Sequence, residues 1–408
     1  MKKKSIFLLF SAVANNISYT CQFYFANIKA GELIDPIVSS LMTGIFFGTL
    51  AIFGLIIGKL SDHFRRRRIF GIIGCMITAI IYFQYYYSST IFQFLLLSSL
   101  IGIFIAFSNS TIPALFSEKE PKMKKGKLMS IYNAVLCLGW ASGILLGEFF
   151  SYYFLDLNYF ILGSFSIVSG IILFFVKDEF NKSKKNFYQK NDKIRSNSHY
   201  KHIKSFLLIL VIILAFRQLS SLGAYSSMAN YLGLYLNATD IERGIISSSD
   251  YIFAIIFMIP MGIIVDKIGR KNGFIIGTSL TIIAIIGFGI IISPWHILIF
   301  YMLGAMAWAS MINSSNAYVL DITNQSERAR GMGYLSAGLS IGGTLGPFMQ
   351  GLLLYLTGGN FRMSFLIISI FLIPSLSVSL LIKEDKKNHL YKIFNKISNN
   401  EIQVENSI

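Results

Sequence analysis

Two ionisable residues stand deep inside apolar stretches of this sequence, Arg217 in "LAFRQLSS" and Asp250 in "SSSDYIF". A charge in such a place costs roughly 2.5–3.5 kcal/mol even on lenient insertion scales, so each asks for a partner or a task. An arginine can attract an anionic or hydroxyl-rich solute. A carboxyl that takes up a proton once the arginine is occupied would couple that solute to an ion gradient. The same two residues could equally form a structural ion pair between neighbouring helices. Amides are set in apolar surroundings as well: Asn15 and Asn16, Asn109, Gln218 beside Arg217, and Asn313 with Asn316. An intramembrane amide either glues helices together or lines a polar path. Asn15-Asn16 and Arg217-Gln218 recur at an offset of 202, which favours the path. Asn15, Asn16, Asn109, Arg217, Gln218, Asn313 and Asn316 are therefore the candidate solute contacts, with Asp250 as the proton-coupling acid. Tyr19, Tyr132 and Tyr225 could add stacking surfaces, although packing explains them as well.

The elements that must position these residues follow from composition. Of 408 residues, 54% are hydrophobic and 14% charged, far from the roughly 25% charged of a soluble domain. Windows of about 20 apolar residues, enough to cross a bilayer core, recur at 5–25, 38–60, 69–88, 90–115, 128–153, 157–177, 205–232, 241–265, 273–293, 295–320, 331–357 and 361–382. In lipid a backbone must satisfy itself, and uninterrupted apolar runs exclude the alternation of a barrel, so all twelve read as helices. The expected fold is an all-α membrane protein of twelve transmembrane helices. The basic, apolar start resembles a signal peptide, but removing it would leave an odd span count, and it is read as the first span.

Thirty-two of the 36 Lys and Arg fall in the terminal segments and in alternate loops, against Lys29, Arg243 and Arg362 on the other side and Arg217 within a span. Positive charge gathers in cytoplasmic loops, so both termini are expected inside a cell membrane. The net charge of +16 is thus an orientation signal. Anionic lipid accounts for it, and no single basic stripe suggests nucleic acid. Residues 178–204 read as a basic cytoplasmic linker between an N-terminal half, 1–177, and a C-terminal half, 205–382, with 383–408 as a polar tail. Cys21, Cys75 and Cys137 lack metal or disulfide spacing. No metal and no cofactor is expected, and "GLIIGKL" falls short of a phosphate-cradling loop, so neither an enzyme nor an ATP-driven pump is indicated.

The halves repeat one another. "GKLSDHFRRRR" at 58–68 is answered 204 positions on by "GIIVDKIGRKN". At an offset of 203, Glu118 falls on Asp321, Lys127 on Arg330, Gly139 on Gly342 and Gly143 on Gly346. Two parallel six-helix repeats with a site between them near the midplane are the plan of a rocking transporter. The glycine ladders Gly139, Gly143, Gly147 and Gly338, Gly342, Gly346 suit close helix approach. Twelve spans, a basic mid-loop and the pattern G-x-x-x-D-[RK]-x-G-[RK]-[RK] between spans two and three resemble the major facilitator superfamily. Gly262, Asp266, Lys267, Gly269, Arg270 and Lys271 fit that pattern throughout, whereas the first copy has His63 and Arg65 in place of a base and glycine. The resemblance implies two pseudo-symmetric halves. It also implies ionic networks that gate the cytoplasmic side: Asp62 with Arg66, Glu118 with Lys127, Asp266 with Arg270, and Asp321 with Arg330.

"PALFSEKEPKMKKGKL" at 113–128 is similar to the P-x-x-x-S-E-x-x-P-x-x-x-R-G pattern of the sugar-porter and metabolite-symporter branch, with Lys125 in the arginine place. The expectation is proton-coupled symport of a sugar or organic-acid-like solute by a monomer in the lipid bilayer. A drug or metabolite antiporter is the alternative, although the span-five Gly-Pro of such proteins is here Gly143-Ile144. A transporter-like solute sensor is the second alternative.

Overall fold

The computed structural model describes residues 3–64, 66–120, 125–154, 157–176, 197–323 and 328–382, and all regular structure among them is helical. Helix α1 runs Lys3–Thr20, passes through a π-helical stretch, Cys21–Ala26, and continues as Asn27–Leu33. Then come α2 (Pro36–Phe64), α3 (Arg67–Tyr85), α4 (Ile91–Lys119), α5 (Lys125–Phe154) and α6 (Asn158–Phe174). The second set opens with α7 (Asn197–Asn230), which also ends in a π-helical stretch, Tyr231–Tyr235. It continues with α8 (Asp240–Ile268), α9 (Arg270–Ile290), α10 (Ile297–Ile322), α11 (Arg328–Leu356) and α12, which is broken into Phe361–Ser369 and Leu372–Leu380.

Among the described residues, ten helices are long and apolar enough to cross a membrane, and α6 is a shorter apolar one. Large apolar side chains project outward, among them Phe92, Phe175, Ile259 and Ile292, as a lipid-facing surface requires. Helix α7 begins eight residues before the apolar window at 205. Hydropathy marks the bilayer, whereas a helix continues into polar residues while its backbone stays paired. The linker residues 177–196 and the tail 383–408 lie outside the described residues.

The helix ends have local causes. Thr90 with Gln93 and Thr239 with Glu242 form capping boxes at the starts of α4 and α8, satisfying orphan amides of the first turn. Gly269 closes α8 at φ 94°, a backbone conformation that glycine adopts without strain. One residue later α9 begins, so the turn in "DKIGRK" depends on that glycine.

The packing of α1–α6 is repeated by α7–α12. Helix α1 lies against α5 and α6, and α4 against α2 and α3; likewise α7 lies against α11 and α12, and α10 against α8 and α9. The glycine ladders are the reason the central pairs come close. A Cβ at Gly139 would sit 2.7 Å from Asn16 Cβ, and one at Gly143 would sit 2.8 Å from the Ile17 carbonyl, both on α1. In the other half, side chains at Gly342 and Gly346 would overlap the Ala215 and Leu219 carbonyls of α7.

The halves meet along two seams, α5–α8 and α2–α11. The terminal face is the end holding Lys3 and Ile382, and the far face is the other. Along α2–α11, Ser40 lies against Gly351, Gly44 against Phe348 and Gly48 against Thr344, but nothing would meet a Cβ at Gly54 or Gly333 nearer the terminal face. The seam is in contact at the far face, whereas no described side chain fills the space a Cβ would take at these two glycines.

Candidate functional site

Between the halves, just inside the closed far face, lies a cavity of about 30 Å³, room for only a water or two. Its walls are aromatic: Phe23 and Tyr24 from α1, Trp140 from α5, Tyr225 from α7, Tyr251 from α8 and Tyr301 from α10. The Trp140 ring lies 5.0 Å from Phe23 and 5.0 Å from Tyr251 of the opposite half, and Tyr225 stacks on Tyr301 at 5.7 Å. Among the described residues Asp250 is the one charged residue lining the cavity, and its Oδ1 accepts a hydrogen bond from the Tyr225 hydroxyl at 3.1 Å. A drug-sized ligand occupies a pocket of roughly 300–1,000 Å³, so loading this one requires the aromatic walls to separate.

The residues expected to bind solute are scattered relative to this cavity. Asn16 stands directly behind the wall: its Oδ1 accepts from Trp140 Nε1 at 2.8 Å, while its Nδ2 donates to the Ala12 carbonyl. Asn15 faces away, toward Cys75 of α3, whose thiol donates to it at 3.6 Å. Asn109 is exposed on α4. Asn313 donates to the Met258 carbonyl and packs on Gly262, which joins α10 to α8. Asn316 is half-buried on α10.

Arg217 is buried, donates to the Gln218 side chain at 3.1 Å and lies over the Trp308 ring at 5.1 Å. Its Nε has no hydrogen-bond partner among the described residues. Arg217 and Asp250 do not form the direct ion pair that their sequence positions allowed, because Tyr225 takes the Asp250 carboxylate instead. Of all these candidates, Asp250 alone lines the cavity.

A second ionic cluster seals the far face and went unread in the sequence. Arg243 of α8 donates from Nε to Glu148 of α5 at 2.9 Å, from Nη1 to Glu32 of α1 at 3.2 Å, and from Nη2 to Asp240 at 2.8 Å. The side chains of Arg243 and Glu148 are 7% and 2% exposed, so this bridge between halves is out of water. Tyr24, a cavity wall, donates to the Arg243 carbonyl and shares a hydrogen bond with Ser247. Asn230 of α7 adds bonds to Ser39 and to the Asn27 carbonyl. Glu148 sits in the window 128–153 close to its end, where a lone acid resembles a solvated boundary residue. At the offset of 203 the counterparts of Arg243 and Glu148 are Ser40 and Gly351, and these also face each other, with a Cβ at Gly351 lying 3.4 Å from Ser40 Cβ.

The other two far-side bases are also tied down. Lys29 donates to the Tyr85 and Tyr86 carbonyls at the end of α3, and Arg362 to the Ile291 carbonyl at the end of α9, where cations complement helix C-termini.

At the terminal face Arg270 bridges Asp266 at 2.6 Å and Asp321 at 3.1 Å. The three residues belong to one half and are partly exposed. Arg66 is exposed. The side chains of Asp62, Glu118, Lys127 and Arg330 lie outside the described residues.

Comparison with known proteins agrees with this architecture. The chain is 26% identical over 343 residues to an uncharacterized MFS-type transporter of Methanocaldococcus jannaschii, covering 78% of this chain and 83% of that one. It is 25% identical over 329 residues to Multidrug resistance protein MdtG of Salmonella typhimurium, covering 76% and 78%. Multidrug resistance protein 2 of Bacillus subtilis is 36% identical over 124 residues, 29% of this chain and 30% of that one. Among solved structures, the nucleoside transporter NupG superposes with a TM-score of 0.74 at 12% identity, covering 93% of this chain and 98% of that one. A bacterial homologue of the lysosomal transporter Spinster, inward-facing and unoccupied, gives 0.73 at 16%, covering 93% and 97%. The Major Facilitator Superfamily model matches residues 7–242 and 219–397. With that match over most of its length and two similarly packed sets of helices, the chain is a multi-pass membrane protein and a secondary transporter belonging to the Major Facilitator Superfamily.

Proposed function

We propose that this transporter exports an amphipathic organic cation from the terminal face, taken as cytoplasmic, to the far face, in exchange for protons. The observation that carries the reading is the cavity lining: among the described residues, six aromatic side chains surround a single carboxylate, with no lysine or arginine. Aromatic faces attract cations, and more so once these are desolvated. A carboxylate in such surroundings discriminates strongly for positive charge, since any buried charge left unpaired is costly. A sugar instead needs several convergent hydrogen-bonding groups; Asn15 is turned away from the cavity and Asn16 is occupied by Trp140. The similarity to two multidrug resistance proteins supports the same direction. The terminal face carries most of the basic residues, which supports its placement in the cytoplasm.

In this reading Asp250 is the counter-charge that a cationic solute and a proton satisfy in turn. Tyr225 steadies the carboxylate, and Trp140 and Tyr251 close on the solute from opposite halves. The test is uptake of tetraphenylphosphonium into proteoliposomes under an imposed proton gradient. The protein should accumulate the cation, and Asp250→Asn should bind it at least about tenfold more weakly, a loss of 1.4 kcal/mol or more. Equal affinity of Asp250→Asn, or tighter binding of an uncharged sugar than of the cation, would refute the reading.

A further inference from the structure

The clasp around Arg243 contains a carboxylate whose situation changes when the halves part. Glu148 Oε1 is held by Arg243, and Oε2 is buried with no hydrogen-bond partner among the described residues. Helix α8 places Arg243 and, beyond it, Asp240 toward Glu148, and α1 contributes Tyr24 and Glu32. The π-helical end of α7 meets the guanidinium at Gly233, while its Tyr231 donates to the Phe288 carbonyl and its Tyr235 lies under Arg362, both turned away from Glu148. Helix α6, packed on α5 as well, has no charged residue.

Opening the far face draws α8 away from α5. Arg243 then keeps Asp240 on its own helix, whereas Glu148 retains no charged partner within its own stretch of α5, "GILLGEFFSYY". A carboxylate left without its cation beside apolar side chains becomes neutral by taking a proton. We propose that Glu148 is a second proton site of the transporter, loaded from the far side when the halves part there and emptied when Arg243 returns. The balance is one proton per closure. It leaves water at the far face, bonds to a Glu148 oxygen in place of the Arg243 hydrogen bond, and is displaced when that bond re-forms. Tyr24 and Ser247, bonded to each other, link the clasp to the cavity beneath, and the terminal side receives the proton. Solute moving outward against this inward proton is antiport, so the inference rests on the export reading above.

The test needs no solute. Ser40, buried in the far part of the α2–α11 seam, is replaced by cysteine in protein held in lipid nanodiscs. Its modification by a membrane-impermeant methanethiosulfonate is timed against Leu33→Cys, exposed on the far face, to remove the reagent's own pH dependence. Labelling of the unsubstituted protein is subtracted. The Ser40→Cys protein should label slowly at about pH 8 and about tenfold faster at about pH 5.5, as protonation releases the clasp. With Glu148→Gln added, labelling should be fast at both pH values. Glu148→Asp should restore the acid dependence, which separates a proton site from a damaged fold. Slow labelling of the Glu148→Gln protein at high pH, or acid acceleration that survives this change, would overturn the proposal. Failure of the export reading would appear separately, as absent cation flux with the labelling pattern intact.

Discussion

Replacing Asn16 by Ala tests whether a residue one layer behind the cavity sets its affinity. Asn16 Oδ1 is the acceptor for Trp140 Nε1 at 2.8 Å, and Trp140 also packs against Tyr19 at 4.8 Å between ring centres. The substitution leaves the indole N–H without its partner in a half-buried site, which costs about 1–3 kcal/mol. If ligand binding needs Trp140 in its present orientation against Tyr251, most of that cost appears as lost affinity, roughly 5–150-fold. The assay is calorimetric titration of tetraphenylphosphonium into four proteins: parent, Asn16→Ala, Trp140→Phe and the double variant. Once the indole is gone, Asn16→Ala should add no more than about 0.5 kcal/mol, the limit for independent behaviour. A full additive loss in the Trp140→Phe background would refute the reasoning, because Asn16 would then act through something other than the tryptophan.

Gly342→Ala should lower the thermal stability of the solubilised protein, since the new Cβ would lie 2.8 Å from Gln218 Cβ and overpacking costs about 1–3 kcal/mol. Gly333→Ala, on the same helix with nothing within 4 Å, should be neutral or raise it, because alanine gains up to about 1 kcal/mol of helix propensity. Equal effects of the two would deny the tight α7–α11 contact. Asp266→Asn should leave stability within about 1 kcal/mol, as its bridge to Arg270 is exposed, while slowing turnover in the liposome assay; equal loss of binding and turnover would place Asp266 in the site.

Much of this molecule is legible from periodicity and duplication. The spans emerge because hydropathy integrates over twenty residues. The glycine ladders do so because spacing by four has one main physical use in a membrane. Asp250 could be found because an acid amid apolar residues stands out by cost alone. Side-chain direction is a different matter. Asn15 and Asn16 are adjacent, yet one turns to Cys75 and the other to Trp140, since neighbours on a helix differ by about 100°. Sequence offers no way to choose between them. The Arg243 clasp escaped for a related reason: its members come from α1, α5 and α8, and each alone resembles an ordinary boundary charge.

The correspondence of Arg243 and Glu148 with Ser40 and Gly351 means that the duplicated chain is unequal at the same point of its two seams. One seam has no charge at this point, where glycine meets serine and parting leaves no ion unpaired. The other is a catch that buries ions, and burying a pair returns little net energy after desolvation while losing one partner is expensive. Such a catch confers alignment more than strength. The door it guards should therefore close in one register, while the uncharged seam tolerates small slippage along α2 and α11.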